Sequence, residues 1–193
     1  MFSFFKKDIP DFITNLLPKE KTLYSDNLMK LAVDIAIENA KRGGGPFGAV
    51  IANGNGTIVT VGYNNVIDQC DSTAHAEINA IRRAEKKLGT HDLSQYDLIL
   101  YSSCEPCIQC FGAIYWSGIK EIYSAATRED AESVGFDECP KYFFARDNTI
   151  SHIGDFLWKV AKDNKKLQHI PKFGRTKRAL EPFKIYQKLG KKY

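Results

Sequence analysis

Two short segments of the sequence carry residue types that could do chemistry: His75-Ala76-Glu77 and Pro106-Cys107-Ile108-Gln109-Cys110. Cys107 and Cys110 stand three residues apart, which puts both thiols on one face of a helix, a face that Ile114 continues. His75, at the start of a second predicted helix, can supply a third ligand. Helix N-termini favour negative charge, so both starts suit thiolates and a hydroxide held by a metal. One histidine and two cysteines make a three-ligand zinc site with a fourth position left for water. Zinc can lower the pKa of that water from about 15.7 to roughly 7.

Glu77 tells what such a site would do. Its helix carries Ile81, Ala84 and Leu88 at i+4, i+7 and i+11, so Glu77 lies on the apolar stripe that faces the core. A buried carboxylate needs a partner. Water on a metal is one, and the carboxylate can take that water's proton and later hand it to a departing group. Against this stand a redox-active Cys-x-x-Cys, a purely structural histidine, and a closed Cys₃His site completed by Cys104. Cys104, however, falls at a strand end before Pro106, and the Pro-Cys-x-x-Cys frame selects Cys107 and Cys110.

The elements that must hold these residues follow from periodicity. Residues 1–24, with Pro10 and Pro18, read as an irregular or short helical extension. Ser25-Asp26 can cap a helix over about 27–42, where Leu28, Leu31, Ile35 and Ala36 recur at helical spacing, and Gly43-Gly44-Gly45-Pro46 stops it. Gly48–Ala52 and Thr57–Tyr63 read as strands joined by the hairpin signal Asn53-Gly54-Asn55-Gly56. A loop over 64–72 leads into a helix over about 74–88. Tyr96–Ser102, 107–117 and Ile119–Ala125 form a strand–helix–strand unit with parallel strands. A short helix is predicted over Arg128–Val134, and further helices near 155–166 and 177–189. The expectation is a three-layer α/β/α sandwich with a mixed central β-sheet.

Composition sets the outer bounds. The chain has 193 residues, 44% of them hydrophobic, which suits one soluble domain rather than a disordered or fibrous chain. Charged or strongly polar residues interrupt every apolar run before 18 residues, and the start lacks the charge order of a signal peptide, so no membrane partner and a cytoplasmic location are expected. Five cysteines, three of them crowded at 104, 107 and 110, suggest metal binding or catalysis and not a disulfide framework. Residues 1–155 hold 15 Lys+Arg against 21 Asp+Glu, whereas residues 156–193 hold 12 against 2. This basic segment reads as a solvated surface or a face packing on an acidic partner; RNA is the alternative. The division expected is an extension over 1–24, a catalytic domain over 25–140, and a basic segment over 141–193 packing on the same domain or on a neighbouring subunit.

The His-x-Glu and Pro-Cys-x-x-Cys segments match the signature of zinc nucleobase and nucleoside deaminases. From about residue 27 to 138 the chain resembles the cytidine deaminase-like superfamily, and within it the small bacterial-type guanine deaminases. The finer likeness rests on Gly44–Val50, Asn64-Asn65-Val66, Thr73–Glu77, Ser103–Cys107, Gly112–Trp116 and Gly135-Phe136-Asp137-Glu138. The resemblance implies His75, Cys107 and Cys110 as zinc ligands, Glu77 as general acid/base, and hydrolysis of guanine to xanthine and ammonia. It further implies a homodimer and a small purine substrate held by Phe47, Asn64, His75, Ala76, Trp116, Phe136 and Asp137. Glu138 is expected to assist in proton transfer, and so is Glu181, which precedes a Pro-Phe pair in a segment that in this family reaches a neighbouring subunit's site. Residues 141–180 are longer and more basic than that family suggests. The alternatives are a tRNA adenosine deaminase, a deaminase of guanosine or another aminopurine, and a non-catalytic zinc module.

Overall fold

The computed structural model describes residues 9–18, 25–136, 167–169 and 177–190. In chain order the elements are α1 (Asp11–Thr14), α2 (Ser25–Lys41), β1 (Gly48–Asn53), β2 (Ile58–Tyr63), α3 (Val66–Gln69), α4 (Ala76–Leu88), β3 (Leu98–Cys104), α5 (Ile108–Ser117), β4 (Glu121–Ala126), α6 (Arg128–Glu132), β5 (Leu167–His169) and α7 (Glu181–Lys188). The strands form one mixed sheet in the order β2-β1-β3-β4-β5. β1 runs antiparallel to β2 and β3, and β3, β4 and β5 are parallel.

Strand alternation sorts side chains onto two faces. Val50, Ala52, Tyr101 and Ala125 face α2, whose Leu28, Met29, Val33 and Ile35 are buried against them. Ala49, Ile51, Leu98, Leu100 and Ile122 face the other way, toward Ala76, Ala80, Ile81 and Ala84 of α4 and Ile114 of α5. Each fully buried Leu, Ile or Met contributes roughly 1.5–3 kcal/mol relative to exposure. Helices therefore cover both faces, the three-layer arrangement expected.

Two glycines set how closely the helices approach. A Cβ on Gly62 would land on the carbonyl oxygen of Ala76, and one on Gly48 would land on that of Ala32. Any side chain at 62 would push away the first turn of α4, the turn that carries Glu77.

Three features were not foreseen. A one-turn helix, α3, occupies part of the loop expected over 64–72. β5, only three residues long, adds a fifth strand beside β4; too short to show alternation, it gives no sequence signal. The extension also joins the core through Ile9 and Ile13. α7 confirms the helix expected near 177–189 and packs on α2, with Arg178 just before it paired with Asp34. The helix expected near 155–166 lies outside the described residues.

Candidate active site

His75 and Cys107 are the N-cap residues of α4 and α5, both in extended backbone geometry. At α5 the cap position is also used: the Cys107 sulfur accepts the Cys110 N–H at 3.5 Å, meeting a backbone donor that the helix cannot satisfy itself, whereas the His75 side chain makes no such bond at α4. His75 Nδ1 lies 3.5 Å from Cys107 Sγ and 3.5 Å from Cys110 Sγ. The three ligand atoms lie within 4.8 Å of one another, the one such cluster among the described residues. Zn–S bonds of about 2.3 Å and Zn–N bonds of about 2.0–2.1 Å put nitrogen and sulfur about 3.5 Å apart in a tetrahedron, so the donor set fits zinc in type and spacing.

Without metal the two thiols divide their proton unequally. Cys107 is pushed down to about 4, chiefly by its hydrogen bonding with the Cys110 side chain, with the nearby His75 ring adding to the effect. Cys110 is pushed well up by the same contact, by burial and by the neighbouring Glu77. The pair is thus a ready thiolate plus a thiol whose proton a metal would displace.

Glu77, 5% exposed, sits in the first turn of α4 behind the ligands. Its Oε1 accepts from Ser102 Oγ at 2.8 Å and its Oε2 accepts from the Cys110 thiol at 3.3 Å. Burial, reinforced by the Cys107 charge, raises its pKa above the usual carboxylate value. The inward face read from Ile81, Ala84 and Leu88 is the face found. Ser102, on the α4-facing alternation of β3, escaped the sequence reading; a polar residue in that apolar row was the available signal.

Cys104 does not complete a fourth ligand position. Its thiol donates to the Thr127 carbonyl at 3.4 Å, and it packs with Ala126, Ala131 and Phe183. The site is a cluster of three groups that could hold a metal ion, with a buried carboxylate beside it.

The other expected site residues fall into groups. Asn64 is buried: its Oδ1 accepts from the Val66 N–H at 3.3 Å and its carbonyl accepts from Asn39 Nδ2 at 2.8 Å. Asn79 Nδ2 donates to the carbonyls of Tyr63 and Ala74, both at 3.0 Å, tying the strand before Asn64 to the segment before His75. Ala76 is fully buried at the start of α4. Phe47 and Phe136 meet edge to face at 5.0 Å between centroids, and α7 adds Phe183, 5.7 Å from Phe47, and Tyr186, 5.3 Å from Phe136. Phe183 and Tyr186 are aromatic partners the sequence alone did not reveal, because they arrive from a distant helix.

Trp116 stands apart from this cluster. It is 82% exposed and packs on Tyr115. The reason is helical geometry: at about 100° per residue, six residues beyond Cys110 turns Trp116 away from the ligand face, whereas Ile114 stays on it. Glu181 opens α7, half-buried, and is not part of the ligand cluster. Asp137 and Glu138 lie outside the described residues.

Residues 24–126 match the cytidine and deoxycytidylate deaminase zinc-binding region. The chain belongs to that family. It is 50% identical over 114 residues to a guanine deaminase of Bacillus subtilis, a match spanning 58% of this chain and 71% of the relative. It is 31% identical over 134 residues to a tRNA-specific adenosine deaminase of Haemophilus influenzae, spanning 69% and 74%. Its fold is similar to the solved guanine deaminase of Nitrosomonas europaea, with a TM-score of 0.73, 28% identity, and coverage of 93% of this chain and 94% of that one. The chain is thus a zinc-dependent hydrolytic deaminase with a cytidine deaminase-like fold. No helix among the described residues is long and apolar enough to cross a membrane.

Proposed function

We propose that the enzyme hydrolyses guanine to xanthine and ammonia. The observation that carries the chemistry is Glu77: a buried carboxylate beside the ligand cluster, held by Ser102 on one oxygen and reaching Cys110 with the other. Zinc, when bound by His75, Cys107 and Cys110, supplies a Lewis acid that makes water acidic at neutral pH. Glu77, its proton affinity raised by burial, accepts the proton of the attacking water. The carboxyl passes that proton to the ring nitrogen as water adds; it then takes the second proton from the hydroxyl of the tetrahedral adduct and hands it to the departing amine as the carbon–nitrogen bond breaks. One water enters, and ammonia and the oxo-purine leave.

The substrate reading rests on likeness to the guanine deaminases together with the aromatic cluster. Phe47 and Phe136 offer ring surfaces to a flat purine, and Asn64 orients its polar edge. His75 and Ala76 are assigned to the same pocket. Asp137 and Glu138, which follow Phe136 directly, are assigned to the amino-imide edge of the base and to proton transfer; Glu181 is assigned a supporting acidic role from α7. Residues 25–140 are assigned as the catalytic domain, residues 1–24 as an extension, and 141–193 as a basic segment that serves the same domain or a neighbouring subunit. The enzyme works in the cytoplasm, which cysteines crowded for metal binding fit, and as a homodimer. The exposed apolar side chains Ile108, Tyr115 and Trp116 on α5 support that pairing, and Trp116 is assigned to a pocket completed across the interface.

A tRNA adenosine deaminase is the second reading, favoured by the Haemophilus influenzae likeness and by the exposed Lys177, Arg178, Lys184 and Lys188 around α7. Ammonia release from zinc-loaded enzyme offered guanine, guanosine, adenine, cytosine and tRNA side by side decides between them. Turnover of guanine alone is the expected result; activity on tRNA with none on guanine overturns the substrate and keeps the zinc chemistry.

A further inference from the structure

Glu105 is a second buried carboxylate, 6% exposed, that the reaction above does not use. It lies between the last residue of β3 and the Pro106-Cys107 ligand turn. Its Oε2 accepts the Arg128 N–H, the first of α6, at 3.1 Å, and its own N–H donates to the Ala126 carbonyl at 3.0 Å. One residue earlier, the Cys104 thiol donates to the Thr127 carbonyl. The ligand turn is therefore stitched to residues 126–128 at three points. α6 is itself fixed by a reciprocal cap in which Thr127 Oγ1 accepts the Asp130 N–H and Asp130 Oδ2 accepts the Thr127 N–H. Beyond α6 the chain closes with Phe136 N–H donating to Ala131 O at 3.1 Å and the Phe136 ring against Phe47.

We infer that Glu105 is a positioning residue that sets the distance between the metal-ligand turn and the Phe136 wall of the substrate pocket. A carboxylate suits the task because it accepts the orphan backbone N–H at the start of α6 with the strength of a charge-assisted bond. Two buried glutamates thus divide the work: Glu77 handles protons at the ligands, and Glu105 holds the ligand turn in register with the pocket. The inference rests on the deaminase reading with Phe136 in the pocket.

The test compares Glu105→Ala, Glu105→Gln and Thr127→Ala with wild type in zinc content, kcat and KM for guanine, and amide exchange at Arg128. Glu105→Ala should raise KM about tenfold while zinc stays bound and kcat stays within about threefold, since one charged hydrogen bond to the pocket wall is lost. Glu105→Gln, which keeps an acceptor oxygen, should restore KM to near wild type. Thr127→Ala, which loosens the same helix from its other side, should raise KM in the same direction even if Glu105→Ala fails to fold. Amide exchange at Arg128 should quicken in Glu105→Ala and not in Glu105→Gln. Wild-type KM in Glu105→Ala overturns the inference, as does a Gln variant no better than the Ala variant, or loss of zinc and kcat together. If wild-type enzyme leaves guanine untouched, the substrate reading fails, and the exchange at Arg128 still decides whether Glu105 holds α6.

Discussion

The ligand cluster and the aromatic wall are built in opposite ways. His75 with Glu77, and Cys107 with Cys110, come from two helix starts, each within four residues of sequence, and the helix caps themselves place the ligands. Phe47, Phe136, Phe183 and Tyr186 come from three regions scattered between positions 47 and 186: Phe47 meets Phe136 directly, and α7, packed on α2, brings Phe183 and Tyr186 to them. Under the proposed function, local geometry sets the reaction, while long-range packing sets what enters. A change in the cluster should abolish chemistry without regard to substrate. A change in the wall should alter substrate binding and leave chemistry largely intact.

The largest effect expected is from Cys107→Ser. It removes both a ligand and the low-pKa thiolate, so zinc should be lost and turnover should fall on the order of a thousandfold or more. Metal analysis beside an ammonia assay checks it; retained zinc with full activity would break the division between the two regions. Phe136→Ala comes next. Loss of a stacking face should raise KM about tenfold with a smaller change in kcat. A collapse of kcat with unchanged KM would mean that the wall belongs to the chemistry after all.

The same contrast explains what the sequence discloses. A helix start, a Cys-x-x-Cys and an inward Glu77 are readable because each depends on neighbours three or four residues away. The three-layer sandwich was legible for a similar reason: β1, β2, β3 and β4 each show clear strand signals, and α4 shows its stripe. β5 and the Phe183–Tyr186 contribution were not, since nothing local marks a three-residue strand or the docking partner of α7. Trp116 shows the limit from the other side. Its type suited a pocket, yet its angle around α5 turns it to solvent within this chain. Cys104 is the opposite case: its spacing suited a ligand, its place at a strand end before Pro106 argued against one, and its thiol donates to the Thr127 carbonyl.

A finer probe works inside the cluster. Ser102 donates to Glu77 and so favours its charged form. In Ser102→Ala the carboxyl pKa should rise further, moving the acidic limb of the kcat/KM profile to higher pH, because more of Glu77 is protonated and unable to act as base at a given acidic pH. Turnover at the optimum should fall only severalfold. A profile that stays in place, or shifts to lower pH, would mean that Ser102 does not set the proton affinity of Glu77.

The most direct test of the account is Glu77→Gln assayed for zinc content, thermal unfolding and ammonia release from guanine in one preparation. The amide matches the carboxyl in size but carries no transferable proton. Zinc and fold should be retained while turnover falls by about 10²–10⁴-fold. A variant that keeps zinc and releases ammonia at close to the wild-type rate would contradict Glu77 as the proton carrier, and with it the central assignment.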